Sequence, residues 1–324
     1  MAVRVGTFNL NNLFSRFNFQ AEVGAVPADD AGGITLTFGQ GEFSVRTFLG
    51  RLVRAKDPAD TIEVARRISE VMNADVLAVQ EVEHIDILKQ FNRERLGNLY
   101  PHVALVEGND RRLIDVGILS KLPIGIIVSH QTAVHPDEPD QRVFSRDLLQ
   151  VEILDNNRDK LFTIYNTHLK SHFVPFGEDP EEGAADANER RRRQAEMVSR
   201  IIGRMEPPNS RFVLTGDMND PPDSQFLELM LTVDNQPLVN ALEHPAESRA
   251  PKAETPGQGP GPQSPAWTHR FNPPGAEFPR YELFDHIWLS QSLADRFADP
   301  TIDRRTKHGG DASDHDPAWV DLDI

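Results

Sequence analysis

Residues 211–220, with the sequence RFVLTGDMND, bring an acid and an amide together directly after an apolar run. The apolar side chains at 212–214 and the following Gly216 are typical of a buried strand that stops abruptly. Asp217 and Asn219 stand at positions i and i+2, so both side chains can face the same way. This arrangement predicts a catalytic site at a strand end, although Gly, Asp, Asn and Pro also form ordinary turns there. The rest of the chain has to distinguish the two interpretations.

Glu81 lies near the end of a second apolar run, residues 74–82 with the sequence ADVLAVQEV. A nearly continuous apolar run predicts a strand that is covered on both faces. A buried carboxylate costs several kcal/mol unless it is paired or binds a cation, so Glu81 is a better functional candidate than a surface glutamate. The alternative is a Glu81 side chain that already reaches solvent at the edge of the sheet.

Asn9 and His168 occupy comparable positions in two further segments. Residues 3–10 predict a strand with Asn9 at its end, and residues 161–166 predict a strand that runs into His168. An isolated Asn at such a position is commonly a turn residue, and a lone His is commonly structural. Lys170, two residues beyond His168, could share its face and add positive charge.

The last part of the chain contains two Asp-His pairs. Asp285 begins a predicted strand over residues 284–290, and Asp314 and His315 lie just before a final predicted strand over residues 318–324. A His next to an Asp in a Gly-rich loop is the pairing from which acid–base or phosphate-orienting groups are built. Each pair is a weak signal by itself.

The polar side chains at or beside strand ends form one set: Asn9, Glu81, His168, Asp217, Asn219, Asp285, Asp314 and His315. The chain has no cysteine, which excludes disulfides, thiol catalysis and cysteine-based zinc sites. Hard oxygen ligands without cysteine suit Mg²⁺ or Mn²⁺ rather than a zinc cage. The set therefore predicts a divalent metal site.

Seven short motifs carry these residues along the chain: TFNLNNLF at 7–14, DVLAVQEV at 75–82, IDVGILSK at 114–121, NTHLKS at 166–171, LTGDMND at 214–220, FDHIWLS at 284–290 and SDHDP at 313–317. In this order they resemble the endonuclease/exonuclease/phosphatase superfamily, which includes DNase I-like nucleases, AP endonucleases, sphingomyelinases and inositol polyphosphate phosphatases. The resemblance runs the length of the chain and implies one domain over residues 1–324.

The resemblance implies an α/β fold, a four-layer α/β/β/α sandwich of two mixed, mostly antiparallel sheets. Its active-site residues would gather at one end of the sheets. It further implies that Glu81 is the main metal ligand, helped by Asn9 and Asp314, and that the cofactor is Mg²⁺ or Mn²⁺.

The resemblance also implies roles for the other polar residues. Asp217 would orient or deprotonate the attacking water, and Asn219 would hold the phosphate and the Asp217 side chain. His315, held by Asp285, would contact a phosphoryl oxygen or transfer a proton, and His168 would be a second phosphate contact. Whether Asp217 or His315 is the base stays open at this point.

The implied activity is hydrolysis of a phosphate ester by in-line attack of water. A divalent cation with His and Asn donors can stabilise the charge that builds up on the phosphate oxygens, without a covalent intermediate. A phosphodiesterase or nuclease is the first expectation, with nucleic acid as a candidate substrate. The alternatives are a small-molecule phosphatase, of the inositol phosphate or phospholipid type, and a binding protein that kept the fold without activity.

The formal net charge of −16 opposes broad adhesion to nucleic acid or anionic lipid. Substrate binding would then depend on the metal and on a few cations, with Arg111, Arg112 and Lys170 as candidates. One arginine of the run at 190–193 is a further candidate. This run lies in a predicted helix over residues 184–205, where four consecutive side chains cannot all face one ligand.

Two stretches are predicted insertions in this framework. Residues 15–60 include a predicted hairpin of strands 34–38 and 43–48 around a Gly-Gln-Gly turn. Residues 244–280 are rich in proline and predict a long irregular loop. Within it, the segment WTH at 267–269 departs from the family's usual sequence. This departure does not change the predicted reaction, but the sequence does not identify the substrate.

The sequence also predicts two further helices and the cellular location of the protein. One helix should begin near Asp60, with Glu63 completing a capping box, and a short one should cover residues 223–231. No apolar run approaches the roughly 20 residues that a membrane-spanning helix needs. The chain passes from Met1 directly into a strand-like sequence, so we expect a cytoplasmic protein.

Overall fold

The structure is a computed structural model that describes residues 1–14, 55–174, 177–253, 259–271, 276–306 and 312–324. Its strands, in chain order, are β1 (Ala2–Leu13), β2 (Val76–Val82), β3 (His102–Leu105), β4 (Asp115–Ser120), β5 (Ile124–Ser129), β6 (Val134–His135), β7 (Glu138–Arg142), β8 (Leu148–Leu154), β9 (Lys160–His168), β10 (Phe212–Asp217), β11 (Thr232–Val233), β12 (Gln236–Pro237), β13 (Val239–Asn240), β14 (Ala246–Glu247), β15 (His269–Phe271), β16 (Arg280–Glu282), β17 (Asp285–Leu289), β18 (Phe297–Ile302) and β19 (Ala318–Asp323). The hairpin predicted at 34–48 lies outside the described residues.

The helices within these ranges are α1 (Pro58–Arg66), α2 (Ile85–Glu94) and α3 (Pro180–Met205). Helix α1 continues directly into a π-helix, Arg67–Met72, and two short 3₁₀ helices cover Glu228–Met230 and Gln291–Leu293. None of the helices in the described ranges is long and apolar enough to cross a membrane.

The strands form two large sheets. The first has seven strands in the order β14-β18-β19-β1-β2-β4-β3, and the second has six in the order β13-β17-β10-β9-β8-β5. Each sheet has a parallel pair at its centre, β1 with β2 and β9 with β10. The other neighbours are antiparallel, except β14 and β18 at the edge of the first sheet. Both sheets are therefore mixed and mostly antiparallel, as predicted.

Three hydrophobic clusters connect the sheets and helices. The first joins side chains from both large sheets, such as Val5 and Val76 with Ile164 and Val213. The second packs β1 and β2 against α1, the π-helix and α2. The third packs β9 and β10 against α3. Helix, sheet, sheet and helix follow one another across these clusters, in the order expected for an α/β/β/α sandwich.

Strand β2 shows why its sequence is apolar on both faces. Val76 and Ala78 belong to the cluster between the sheets, whereas Leu77 and Val79 belong to the cluster under the helices. Alternate side chains of one strand point to opposite faces, so a strand buried on both faces has no polar side. The prediction for residues 74–82 is confirmed.

Helix α1 begins earlier than predicted, and the proposed capping box is wrong. Asp57 is the N-cap, since its Oδ1 accepts a hydrogen bond from the backbone N–H of Ala59 at 2.8 Å. Pro58 follows as the first helical residue, where a missing N–H costs nothing. Glu63 instead pairs with Arg66, one turn along the helix, at 2.8 Å.

The helix predicted over residues 223–231 is reduced to the 3₁₀ helix at Glu228–Met230. The backbone there makes successive turns closed by i to i−3 hydrogen bonds. The N–H of Ser224 donates to the carbonyl oxygen of Pro221, that of Leu227 to Ser224, and that of Met230 to Leu227. The Ser224 hydroxyl donates to Asp220 at 2.7 Å and accepts the backbone N–H of Phe226 at 3.2 Å, but no α-helix follows. The 244–280 loop also contains more structure than predicted, because β14 pairs with β18 and β15 pairs with β16.

Candidate active site

Three strands of the second sheet place His168, Asp217 and Asp285 in one row. Strand β10 lies between β9 and β17, and its register pairs Asp217 with His168 on one side and with Asp285 on the other. Gly216, just before the row, has φ +130°, and a Cβ there would come 1.9 Å from the Thr167 carbonyl oxygen. Only glycine tolerates this close approach of the two strands.

Asp217 is the centre of the cluster and is buried. Its Oδ2 accepts a hydrogen bond from Asn9 Nδ2 at 2.9 Å, and its Oδ1 accepts one from the Asn219 backbone N–H at 2.9 Å. The same Oδ2 lies 3.4 Å from His168 Nε2 and 3.7 Å from His315 Nε2. The two sheets therefore meet at this carboxylate, since Asn9 comes from β1 and Asp217 from β10.

His315 and Asp285 form a second buried pair. His315 Nδ1 lies 2.6 Å from Asp285 Oδ2. Burial by itself lowers the pKa of His315, but the carboxylates of Asp285 and Asp217 outweigh it, so this pKa is raised above its ordinary value. The loop before β19 is held in place by Ser313, whose hydroxyl donates to the Asn9 carbonyl oxygen at 2.7 Å.

Glu81 is presented by a bulge in β2. The pairing of β2 with β4 shifts register between Val79 and Val82, and Glu81 has φ +61°. Such left-handed backbone costs a non-glycine residue of order 1–3 kcal/mol and is common at functional sites. Glu81 Oε2 accepts the Asn12 backbone N–H at 3.0 Å, and Asn12 is left-handed too, at φ +60°.

Glu81 and Asp314 are candidate ligands for a hard divalent cation. Burial raises the pKa of Glu81, and the nearby Asp314 carboxylate raises it further. Two carboxylates that repel each other in this way are stabilised by a cation, and oxygen donors are the ligands that Mg²⁺ and Mn²⁺ prefer. Two compact groups could also hold a metal, Asp217–Asp285–His315 and His269–Asp314–His315.

Asp314 has a partner that the sequence did not predict as a site residue. Its Oδ2 lies 3.5 Å from His269 Nε2, and the His269 ring centre lies 4.6 Å from that of His315. The neighbouring Thr268 Oγ1 accepts the Asp285 backbone N–H at 3.0 Å. The departure at 267–269 was the signal in the sequence, because it adds an imidazole beside the predicted site.

The side chains predicted to bind the substrate by their positive charge differ in their contacts with the cluster. Arg111 and Arg112 are both exposed. Arg112 pairs with Asp110 at 3.2 Å and lies near enough to Glu81 to lower the pKa of that carboxyl. Lys170 Nζ donates to two backbone carbonyl oxygens, those of Ser171 and Phe173, at 2.8 Å each.

Within the run at 190–193, Arg191 is the buried arginine. It pairs with Asp220 at 3.0 Å and donates to the Lys170 carbonyl oxygen at 2.6 Å. Arg192 and Arg193 pair with Glu189 on the helix surface. Arg191 therefore ties α3 to the end of β9, behind the cluster.

Arg146 is a buried residue beside the cluster that was not predicted from the sequence. Its Nη1 donates to the Leu169 carbonyl oxygen at 3.1 Å, and Asn219 Nδ2 donates to the same oxygen at 3.1 Å. Its Nε lies 3.1 Å from Asp110 Oδ2. An arginine followed by an apolar strand, as in SRDLLQV at 145–151, is the signal that could have identified it.

Two mixed sheets with a cluster of acids, amides and histidines at one end define the DNase I-like class of proteins. A family model described as the Endonuclease/Exonuclease/phosphatase family matches residues 6–315. The chain belongs to this family, and the resemblance drawn from its seven motifs is confirmed. A search of curated proteins found no match.

Solved structures share the fold over the whole chain. An endonuclease/exonuclease/phosphatase from Bacteroides vulgatus is 16% identical, with a TM-score of 0.57 and coverage of 100% of this chain and 99% of that one. An AP endonuclease from Archaeoglobus fulgidus is 15% identical, with a TM-score of 0.55 and coverage of 99% and 100%. A mannosyl-6-phosphatase from Bacteroides thetaiotaomicron is 16% identical, with a TM-score of 0.52 and coverage of 99% and 100%. At these identities the likeness shows the fold alone.

Proposed function

We propose that this protein is a divalent-metal-dependent hydrolase of phosphate esters, with phosphodiesters, including nucleic acid, as the first candidates. One observation carries the proposal: a buried Asp217 carboxylate is held by Asn9 and Asn219 and flanked by His168 and His315. Such an arrangement can orient a water molecule and offer hydrogen-bond donors to a phosphate in the same place. Every residue of the predicted set is present, which favours an enzyme over an inactive binding protein.

Asp217 is the better candidate for the general base. Burial raises its pKa, although the neighbouring His315 opposes the shift, so the carboxylate can accept a proton from water near neutral pH. His315 is held protonated by Asp285 and Asp217. A protonated imidazole is suited to stabilising a phosphoryl oxygen rather than to accepting a proton.

His168 and Asn219 would bind the phosphate on the other side of Asp217. Burial lowers the pKa of His168 well below its ordinary value, and the nearby Arg146 and Arg112 lower it further. The ring is therefore neutral at neutral pH and can donate one hydrogen bond. Asn219 has φ +54°, a conformation that places its backbone N–H on Asp217 and its side chain beside Leu169.

Glu81, with Asp314 and Asn9, would hold Mg²⁺ or Mn²⁺. The ion would neutralise part of the negative charge that develops on the phosphate during hydrolysis. The partly buried Glu81 carboxylate and its like-charged neighbour Asp314 support this assignment.

A substrate panel tests the proposal: plasmid DNA, abasic duplex, single-stranded DNA, bis-p-nitrophenyl phosphate, inositol phosphates and sphingomyelin. Each is incubated with Mg²⁺, with Mn²⁺ and with EDTA, using the wild type and Asp217→Asn. We expect metal-dependent hydrolysis of phosphodiesters by the wild type and strong loss in the variant. Hydrolysis of inositol phosphates alone would favour the phosphatase alternative, and no hydrolysis of any member would overturn the proposal.

A further inference from the structure

Three cations, Arg112, Arg146 and Lys170, lie together beside the candidate active site. We infer that they form a subsite for a second anionic group of the substrate, so the preferred substrates carry another phosphate next to the scissile one. The inference rests on the proposed function and narrows its substrate class. An oligonucleotide and a small bisphosphate share this chemistry, whereas an isolated phosphate ester lacks it.

The strand order places this subsite on one side of Asp217. Strands β9 and β8 lie on one side of β10, and β17 lies on the other. Lys170 follows the end of β9 and Arg146 precedes β8, and the register of the two strands pairs Leu148 with Thr167. Arg146 and Lys170 therefore lie beyond His168, away from the pair of His315 and Asp285 over β17, and Arg112 joins them through the Asp110 carboxylate that it shares with Arg146.

Arg146 provides the strongest evidence for a missing anion. Its side chain is 2% exposed, yet its Nε makes no hydrogen bond to any described residue. The Asp110 carboxylate, at 3.1 Å, is not aligned to accept one and is also shared with Arg112. A buried guanidinium with an unsatisfied donor is costly, and a phosphate oxygen is a good acceptor for it. The bond to Leu169 that Arg146 shares with Asn219 places it next to the phosphate-binding residues.

Lys170 gives independent support. Two of its three ammonium donors are used by backbone carbonyl oxygens. Burial lowers the pKa of Lys170 to about 8, and the guanidinium groups of Arg146, Arg112 and Arg191 add to the effect. Its nearest charged neighbours are thus cations, which an anionic group would stabilise.

Ion pairs compensate the positive charge of this group only in part. Arg191 is paired with Asp220, and Arg112 and Arg146 share the carboxylate of Asp110, whereas no ion pair joins Lys170 to a carboxylate of the described residues. The Glu81 and Asp217 carboxylates also act on Arg146, but in the proposed enzyme they face the metal and the attacking water. A further phosphate of the substrate would supply the negative partner that Lys170 lacks and an acceptor for the Arg146 Nε.

The test compares thymidylyl-thymidine, which has one phosphate, with the same dinucleotide carrying a 5′- or a 3′-terminal phosphate. We expect kcat/KM with Mg²⁺ to be on the order of tenfold higher for one of the phosphorylated forms. A sugar bisphosphate and its monophosphate form a second pair, which shows whether the second phosphate must belong to a nucleotide. Equal kcat/KM within both pairs would overturn the inference, even if every substrate is hydrolysed.

Two variants locate the subsite. Arg146→Met and Lys170→Met should each reduce the preference for the second phosphate, and Lys170, being less buried, should fold even if Arg146→Met does not. Arg93→Met is the matched control, since Arg93 is exposed on α2 and pairs with Glu94. The control should keep the full preference. A preference that survives both Arg146→Met and Lys170→Met would refute the assignment.

A binding experiment separates this inference from the proposed function. Calorimetry with thymidine 3′,5′-bisphosphate and with each thymidine monophosphate measures the subsite without turnover. We expect tighter binding of the bisphosphate to the wild type and loss of that difference in Lys170→Met. Tighter binding of the bisphosphate without hydrolysis of any substrate would refute the hydrolase proposal alone. Hydrolysis with equal affinities for the bisphosphate and the monophosphates would refute the subsite alone.

Discussion

Asn166 joins the two sheets directly beneath the candidate active site, and replacing it should damage both stability and activity. It lies on β9 of the second sheet, where its Nδ2 donates to the carbonyl oxygens of Val79 at 3.0 Å and Gly117 at 2.8 Å in the first sheet. Its Oδ1 accepts a hydrogen bond from Gln80 Nε2 at 2.8 Å. Asn166 and Gln80 are both completely buried.

The expected loss follows from the groups left behind. Asn166→Ala leaves two buried carbonyl oxygens without this donor and removes one partner of Gln80. A buried polar group that loses its partner costs about 1–3 kcal/mol, so the free energy of unfolding should fall by about 3–5 kcal/mol. Gln80 precedes Glu81 and Asn166 lies two residues before His168, so the folded variant should also need more Mg²⁺ and turn over more slowly.

Equilibrium urea unfolding followed by circular dichroism measures the stability change, and a Mg²⁺ titration of activity measures the effect on the site. Asn157→Ala is the matched control, because Asn157 is exposed in the turn between β8 and β9. Its effect should stay within about 0.5 kcal/mol. A loss of less than about 1 kcal/mol in Asn166→Ala, with an unchanged Mg²⁺ requirement, would refute the idea that this residue ties the sheets together.

Four other predictions test the site and its surroundings. EDTA should abolish activity and Mg²⁺ or Mn²⁺ restore it, and Glu81→Gln should raise the metal concentration required, as a metal titration would show. Asp217→Asn should lower kcat by about 10²–10⁴-fold, with a smaller loss in Asp285→Asn, which acts through His315. Log K for duplex DNA against log salt should have a shallow slope, on the order of −2 to −3, because few phosphates are held. Burial, with a smaller effect from neighbouring carboxylates, raises the pKa of Asp115 to about 7. The folded protein therefore keeps a proton that the unfolded chain releases, so the free energy of unfolding should fall from about pH 4 to 7 and level off above. Urea unfolding of Asp115→Asn should lack this fall.

Each of these has a contradicting result. Full activity in EDTA, with no metal carried over, would remove the metal from the proposal. Near wild-type turnover in Asp217→Asn would show that the base is another group. A slope of −6 or steeper would indicate a protein that grips long duplex by many phosphates. If the stability of the wild type and of Asp115→Asn changed with pH in the same way, the fall would come from a group other than Asp115.

The sequence alone was sufficient to place the strands that carry the candidate site and the residues at their ends. The strands predicted at 284–290 and 318–324 match β17 and β19 to within one residue at each end. Their signal is local, because an apolar run between turn residues is set by which faces of the strand are buried. The motifs at the strand ends were enough to identify the family, since their order along the chain carries the information.

Errors arose where neighbouring residues compete for one local role. Asp57 and Asp60 are both acceptable N-caps by residue type, and Pro58 decides between them by starting the helix one residue after Asp57. Residues 223–231 have a helical composition, but the Ser224 hydroxyl bonds to Asp220, and β11 begins at Thr232. The backbone N–H groups of this interval close i to i−3 turns instead of the i to i−4 hydrogen bonds of an α-helix.

Only the tertiary structure brought the site together. Asn9 and Asp217 are 208 positions apart, yet their side chains share a hydrogen bond of 2.9 Å because the sheets that carry them pack face to face. Arg146 and His269 join the site for the same reason, from segments that lie far from Asp217 in the sequence. Side-chain periodicity tells which face of a strand is buried, but which strands become neighbours, and in what register, depends on packing across the whole chain.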